Sequence, residues 1–223
     1  MLADTKRWLS RIGLCVLLGA LLSGAVLRAR AAATPRASSK YLITEARALQ
    51  LTTRFRAARE PGAVQAHAFH RSVFDVLLAQ PGASRLRVYN ARYADGRPTF
   101  VVYAADSSGQ DYEDVPGNTS LPSPPYFQGE DLRIALAAST HLVTREHAET
   151  LIARFQSTAA ATAVRSYSFD RSLIDELLAQ QGAEGIRIYY GTNASGTEAL
   201  VLYAIDGNGR DLSGLVGASS EAR

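Results

Sequence analysis

Ile186-Arg187-Ile188-Tyr189-Tyr190, then Gly191-Thr192-Asn193-Ala194-Ser195-Gly196, then Ala199-Leu200-Val201-Leu202-Tyr203-Ala204-Ile205 are two apolar runs around a polar loop bounded by glycine. Runs of this length, rich in Ile, Val, Leu and Tyr, read as strands, and a short polar connection makes them antiparallel neighbours in a hairpin. Alternate side chains of a strand project to opposite faces, so Ile186 and Ile188 share one face and Arg187 and Tyr189 the other. One hundred residues upstream the pattern recurs as Leu86, Arg87, Val88 and Tyr89, with Tyr103 matching Tyr203. The likeness continues outward. Residues 42–111 align with 142–211 without a gap, and 28 of the 70 pairs are identical. The chain therefore carries one unit twice. Positions retained in both copies mark what the unit needs, whether for folding or for binding.

Each unit reads α-β-α-β-β, an α+β class with an antiparallel hairpin per unit. Thr44 and Thr144 are N-cap candidates, and Ala48, Leu51 and Phe55, like Ala148, Leu151, Ile152 and Phe155, fall at helical spacing. Short strands are expected over Val64–Phe69 and Val164–Phe169. Ser72 and Ser172, three residues before Asp75 and Asp175, read as a variant capping box opening a second helix. That helix ends near Gly82 and Gly182. A 70-residue unit without disulfide or metal buries a limited share of its apolar surface, so the two are expected to pack against each other. Copy one carries nine Arg against six acids and copy two six against nine, +3 facing −3, which favours that docking. Between them residues 112–141, with Pro116, Pro122, Pro124 and Pro125, read as a Pro-rich linker, and residues 212–223 as a tail.

The amino terminus carries a different signal. Residues 1–11 are basic, residues 12–27 contain no charge and are mostly apolar, and Ala29, Ala31 and Ala33 follow. This order reads as a secretory signal peptide over residues 1–33, cleaved near Ala31 or Ala33 and leading to a secreted or periplasmic chain. Left uncleaved, the same segment would anchor the protein in a membrane. Cys15 is the one cysteine of the 223 residues, so the mature chain would lack a thiol. The whole chain has 24 Lys+Arg against 21 Asp+Glu. Beyond residue 33 the balance is 19 against 20, with Lys40 the one lysine, and this leaves no basic footprint for a nucleic acid.

The string Leu77 to Gln80, repeated at Leu177 to Gln180, then Gly182, Ile186 to Gly191, Val201 and Asp206 to Asp211, resembles an uncharacterised group of small bacterial domains. Copy one departs from the pattern at Leu86 to Ala91 and Asp106 to Asp111. The resemblance covers both units but neither the leader nor the linker. It implies a recurrent fold and supplies no catalytic residue, cofactor or ligand.

The binding candidates are therefore read from the residues themselves. Arg87 with Tyr89, and Arg187 with Tyr189, could grip a carboxylate or a sugar, or else pair with neighbours such as Tyr103 and Tyr203. The turns holding Asp106 and Asp111, and Asp206, Asn208 and Asp211, place oxygens at intervals that calcium loops use. Arg210 stands where a further acid would be expected, so tight-turn chemistry is the preferred reading. His67 and His70 lack a third ligand of suitable spacing, and no metal site, catalytic set or cofactor is assigned. The function expected is that of an exported, non-catalytic protein that binds an unknown protein or cell-envelope partner or associates with itself. The alternative is a hydrolase-like envelope enzyme with a site between the units, where His67 and Asp170 would meet. Fewer than about three titratable side chains in the inter-copy groove would remove that alternative.

Overall fold

The computed structural model describes residues 40–118, 121–123 and 141–219; the expected leader lies outside the described residues. Copy one supplies β1 (Leu42–Ile43), α1 (Glu45–Ala57), β2 (Ala66–His70), α2 (Arg71–Leu78), β3 (Arg85–Arg92) and β4 (Pro98–Ala105), and the segment after it supplies β5 (Leu121–Ser123). Copy two supplies α3 (Arg145–Thr158), β6 (Ser166–Asp170), α4 (Arg171–Leu178), β7 (Gly185–Thr192), β8 (Glu198–Ile205) and β9 (Asp211–Ala218). The α+β class follows the sequence, and each copy holds the expected α-β-α-β-β order with the strands β1, β5 and β9 added around it. Thr44 and Thr144 cap α1 and α3 by accepting from the amides of Arg47 and His147 at 3.2 and 3.3 Å. The second helices begin earlier than the capping-box reading places them. Their N-caps are His70 and Asp170, and Ser72 and Ser172 lie inside the first turn.

The two copies do more than dock. β2 of copy one pairs antiparallel with β7 of copy two, Phe69 opposite Ile186, and β6 of copy two pairs with β3 of copy one, Phe169 opposite Leu86. One sheet runs β1-β9-β8-β7-β2-β5 and the other β4-β3-β6, so each hairpin receives its third strand from the other copy. The first helices cross over as well. Ala48 and Leu51 of α1 pack with Tyr189 and Val201 of copy two, and Ala148 and Leu151 of α3 pack with Ala91, Val101 and Tyr103 of copy one. Between the sheets lies the main core, where Phe69, Phe74, Leu86 and Phe100 of copy one meet Phe169, Leu173, Ile186 and Leu200 of copy two. Burial of large apolar side chains at about 1.5–3 kcal/mol each makes this shared layer the chief stabiliser, and neither copy holds it alone. The described residues of both copies accordingly belong to one compact unit.

Two arginines retained in both copies fasten α2 to α4. Arg71 Nη1 donates to the Ala183 carbonyl at 2.9 Å and Nη2 to that of Leu178, while Arg171 Nη1 donates to the Leu78 carbonyl at 2.7 Å. Each guanidinium thus satisfies carbonyls that the end of the other copy's helix leaves unpaired.

Pairing also continues past the end of the identical block. Gly217 lies opposite Leu42 and Leu202 on β9, and Gly117 makes the corresponding bridges to Leu142 and Val102. Residues 112–118 and 212–218, and β5, which pairs with β2, therefore belong to the fold rather than to a linker or a tail, and residues 119–120 and 124–140 of the expected linker lie outside the described residues. Pro116 has no amide hydrogen, and copy one makes isolated bridges where copy two has a continuous strand. A Cβ on Gly117 would stand 2.6 Å from Val102 Cγ2, and one on Gly217 2.8 Å from the Leu173 methyls, which is why glycine holds both places.

Candidate functional site

Arg187, Tyr189 and Asp211 come together on the outer face of the larger sheet, under α1. Arg187 Nη1 reaches Asp211 Oδ1 at 2.8 Å, Nη2 donates to the Gly209 carbonyl at 2.9 Å, and the Tyr189 hydroxyl donates to Asp211 Oδ2 at 2.6 Å. Copy one repeats the arrangement with Arg87 on Asp111 at 3.2 Å and on the Gly109 carbonyl at 2.6 Å, and Tyr89 on Asp111 at 2.5 Å. The rings of Tyr89 and Tyr189 lie edge-on to those of Tyr103 and Tyr203, 5.7 Å between centroids in both cases. Burial pushes the Asp111 and Asp211 carboxyls above their ordinary value, although the adjacent guanidinium and phenol pull the other way. Burial raises the Tyr89 and Tyr189 hydroxyls too. These six residues are spent on one another. Arg187 is 3 % exposed, and of the two uses expected for these residues the structure shows the pairing with neighbours.

The turns are closed from within. Asp206 Oδ1 accepts from the amides of Asn208 and Arg210, both at 2.8 Å, and Asp106 Oδ1 accepts from Ser108 Oγ at 2.6 Å and the Gln110 amide at 2.9 Å. Gly209 and Gly109 adopt φ +72° and +88°, which favours glycine. Asp206 and Asp211 therefore serve different networks, and among the described residues no group of three His, Cys, Asp or Glu could hold a metal. His67 is fully buried on the inner sheet face against Phe100 and Tyr190, and burial lowers its imidazole pKa to about 3. Asp170 occupies the N-cap position of α4 without a side-chain capping bond, on the edge strand of the other sheet, opposite Arg85.

An open site lies elsewhere, at the end of the layer between the sheets. A groove of about 620 Å³ is lined by Phe55, Arg59 and Val64, by residues of β3 and its hairpin from Asn90 to Pro98, and by Phe155, Tyr190 and Glu198 of copy two. Phe55/Phe155 and Asn90/Tyr190 are equivalent pairs one hundred residues apart, so the groove straddles the relation between the copies. Its floor is aromatic. Phe55 and Tyr190 stack at 5.2 Å with an interplanar angle of 17°, and Phe100 lies 4.6 Å behind Tyr190. Burial holds the Tyr190 hydroxyl protonated well above its ordinary range. Arg97 pairs with Asp95 at 2.7 Å and Arg59 with Glu198 at 3.4 Å. Arg92 differs from both, for its Nη1 donates to the Gly96 carbonyl at 3.2 Å and its Nε is buried with no hydrogen-bond partner. Among the described residues Arg92 has no carboxylate partner.

Six ionisable side chains line this groove: Arg59, Arg92, Asp95, Arg97, Tyr190 and Glu198. That count exceeds the threshold set for the enzyme alternative, yet both carboxylates are tied to arginine and the described lining has no histidine, serine or cysteine. None of the groove's arginines was singled out by sequence, because comparison of the copies favours residues that recur. Arg59, Arg92 and Arg97 face Ala159, Thr192 and Thr197 in copy two. The opposite signal, polar residues that fail to recur inside an otherwise retained frame, would have found them. The chain matches none of the family descriptions, curated proteins or solved structures with which it was compared.

Proposed function

We propose that this protein is exported and acts by binding a small molecule in the groove between the interleaved copies, without reacting with it. The single observation behind this reading is how the groove's residues divide. Phe55, Ala63, Val64 and Gly96 are matched by identical residues in copy two, whereas Arg59, Asn90, Arg92, Asp95 and Arg97 align with Ala159, Tyr190, Thr192, Ser195 and Thr197, and Gly62, Ala91 and Pro98 with Thr162, Gly191 and Glu198. Polar groups that do not recur suit one ligand held in one direction better than a symmetric contact between copies of the chain. The volume falls within the roughly 300–1,000 Å³ of small-molecule pockets, and an aromatic floor with a few polar groups is their usual lining.

The test is thermal melting of the purified chain from residue 34 onward against amino acids, sugars, nucleosides and organic acids. A true ligand at a hundred times its dissociation constant adds about 2.7 kcal/mol and raises the midpoint by several degrees. It should also be recovered unchanged. A panel without any responder would refute the reading, and stoichiometric conversion would restore the enzyme alternative. Export is tested by amino-terminal sequencing of protein from the extracellular or periplasmic fraction. A start close to Ala32 or Thr34 is expected, and intact Met1 in membranes would favour the anchor instead.

A further inference from the structure

Resting on that binding role, we infer that the groove takes a small monocarboxylic acid with a flat apolar body, its carboxylate paired with Arg92 and its body laid against the aromatic floor. Charge comes first. Three arginines and two carboxylates line the groove, and two matched pairs, Arg97 with Asp95 and Arg59 with Glu198, leave the single charge of Arg92. A guanidinium stays protonated at any physiological pH and matches a carboxylate in shape and charge. The Nε of Arg92 is out of reach of water, so the group is only partly solvated and an anion beside its outer nitrogens meets less competition than at an exposed arginine. One surplus positive charge calls for one negative charge. A dianion would bring a second one toward Asp95 and Glu198.

The body of the ligand follows from the floor. Phe55 and Tyr190 present a stacked pair, and Phe155, Val64 and Pro98 add apolar lining. Arg59 already lies over the Phe55 ring at 4.8 Å and Tyr190 stacks on it at 5.2 Å, so a flat ligand meets this floor mainly at ring edges. Rings prefer such offset or edge-on neighbours, and a flat ligand removes more apolar surface from water than a branched one of equal volume. Copy two has Thr192 at the position of Arg92, which gives the site one carboxylate end only.

The experiment is calorimetric titration of the chain from residue 34 onward with 2-naphthoate, indole-3-acetate and 4-phenylbutanoate, beside neutral 2-naphthamide, naphthalene-2,6-dicarboxylate and acetate. At least one of the three aryl acids should bind with a stoichiometry of one, and at least tenfold more tightly than the amide, the dicarboxylate and acetate. Arg92→Thr, which installs the residue that copy two carries, should weaken the aryl acid at least tenfold, leave the amide unchanged and melt as the parent does without ligand. Arg92→Lys should recover part of the loss, and it serves as the second variant if the threonine protein melts early. Equal binding of acid and amide, or an aryl acid indifferent to Arg92→Thr, would overturn the inference. So would failure of all three acids while a sugar or nucleoside binds, and in that case the groove would still be a binding site. Failure of every compound in both panels would remove the binding role itself.

Discussion

Arg187 and Arg92 lie on corresponding hairpin strands, one in each copy, and their surroundings are opposite. Arg187 is 3 % exposed and is met by Asp211, Tyr189 and the Gly209 carbonyl, whereas Arg92 has one carbonyl bond and, among the described residues, no carboxylate. The first belongs to a motif the chain carries twice and the second does not. In this molecule the buried Arg187 cluster recurs in copy one, and the proposed site lies where recurrence fails. The non-recurring arginines Arg59 and Arg97 are paired with carboxylates, which leaves Arg92 as the one that the proposal assigns to a ligand.

The comparison is most easily broken by removing carboxylates. Asp211→Ala leaves Arg187 buried without its counter-ion, and the expected loss of stability is about 3–5 kcal/mol in a urea titration. Asp111→Ala should cost less, about 1–3 kcal/mol, because the Arg87 side chain is 17 % exposed against 3 % for Arg187 and water can replace part of what is lost. Arg92→Thr should stay within about 0.5 kcal/mol of the parent. Losses of equal size at all three positions would erase the distinction between frame and site.

Protonation sharpens the same contrast. The Asp111 and Asp211 carboxyls lie above the ordinary 3.8 because burial disfavours their charge, and Asp106 lies below it because Ser108 Oγ and the Gln110 amide donate to its carboxylate. A carboxyl raised by folding holds its proton more tightly in the folded state. Its contribution to stability is complete below 3.8 and is lost as pH rises through the raised value; for Asp106 the contribution is present above 3.8 and is lost as pH falls through the lowered one. Carboxyl carbon shifts followed by NMR from pH 2 to 7 should place Asp111 and Asp211 above 3.8 and Asp106 below. Asp111 or Asp211 titrating with Asp106 would mean that the clusters are open to water.

Much of the frame was legible. The hairpins, the helical stripes and the Thr44 and Thr144 caps follow from local periodicity and capping chemistry. Which strand pairs with which was not. Phe69 and Phe169, Arg71 and Arg171, and Arg87 and Arg187 are identical, so β2 carries the same local information for pairing with β3 as with β7, and nothing in the pattern chooses. The repeat's far end was missed because residues 112–118 and 212–218 share only Gly117 and Gly217. The alternation of β7 correctly separated Ile186 and Ile188 from Arg187 and Tyr189, but the outer face is covered by α1, which a view of one copy cannot anticipate. The groove escaped for the same reason, since its walls come from both copies.

The smallest expected effect concerns calcium. Millimolar calcium should leave the melting midpoint unchanged, because Asp206 accepts from its own turn and Asp211 is held by Arg187 and Tyr189. Six to eight oxygens at one point are what the ion requires. A rise of several degrees, abolished by Asp206→Ala, would make the turns a site after all.

Interleaving is the claim on which the rest depends, and one cross-link tests it. Arg85 lies opposite Asp170 across β3 and β6, whereas a self-contained copy would place His70 opposite Arg85 by the equivalent register. Directly opposed residues of antiparallel strands stand about 4.5–5.5 Å apart at Cα, within the range a disulfide spans. In a Cys15→Ser background, Arg85→Cys with Asp170→Cys should close under mild oxidation in the monomer, read by intact mass and a non-reducing gel, while His70→Cys with Arg85→Cys should stay reduced. Closure of the His70 and Arg85 pair, with the Arg85 and Asp170 pair remaining open, would show two self-contained copies side by side and contradict the account.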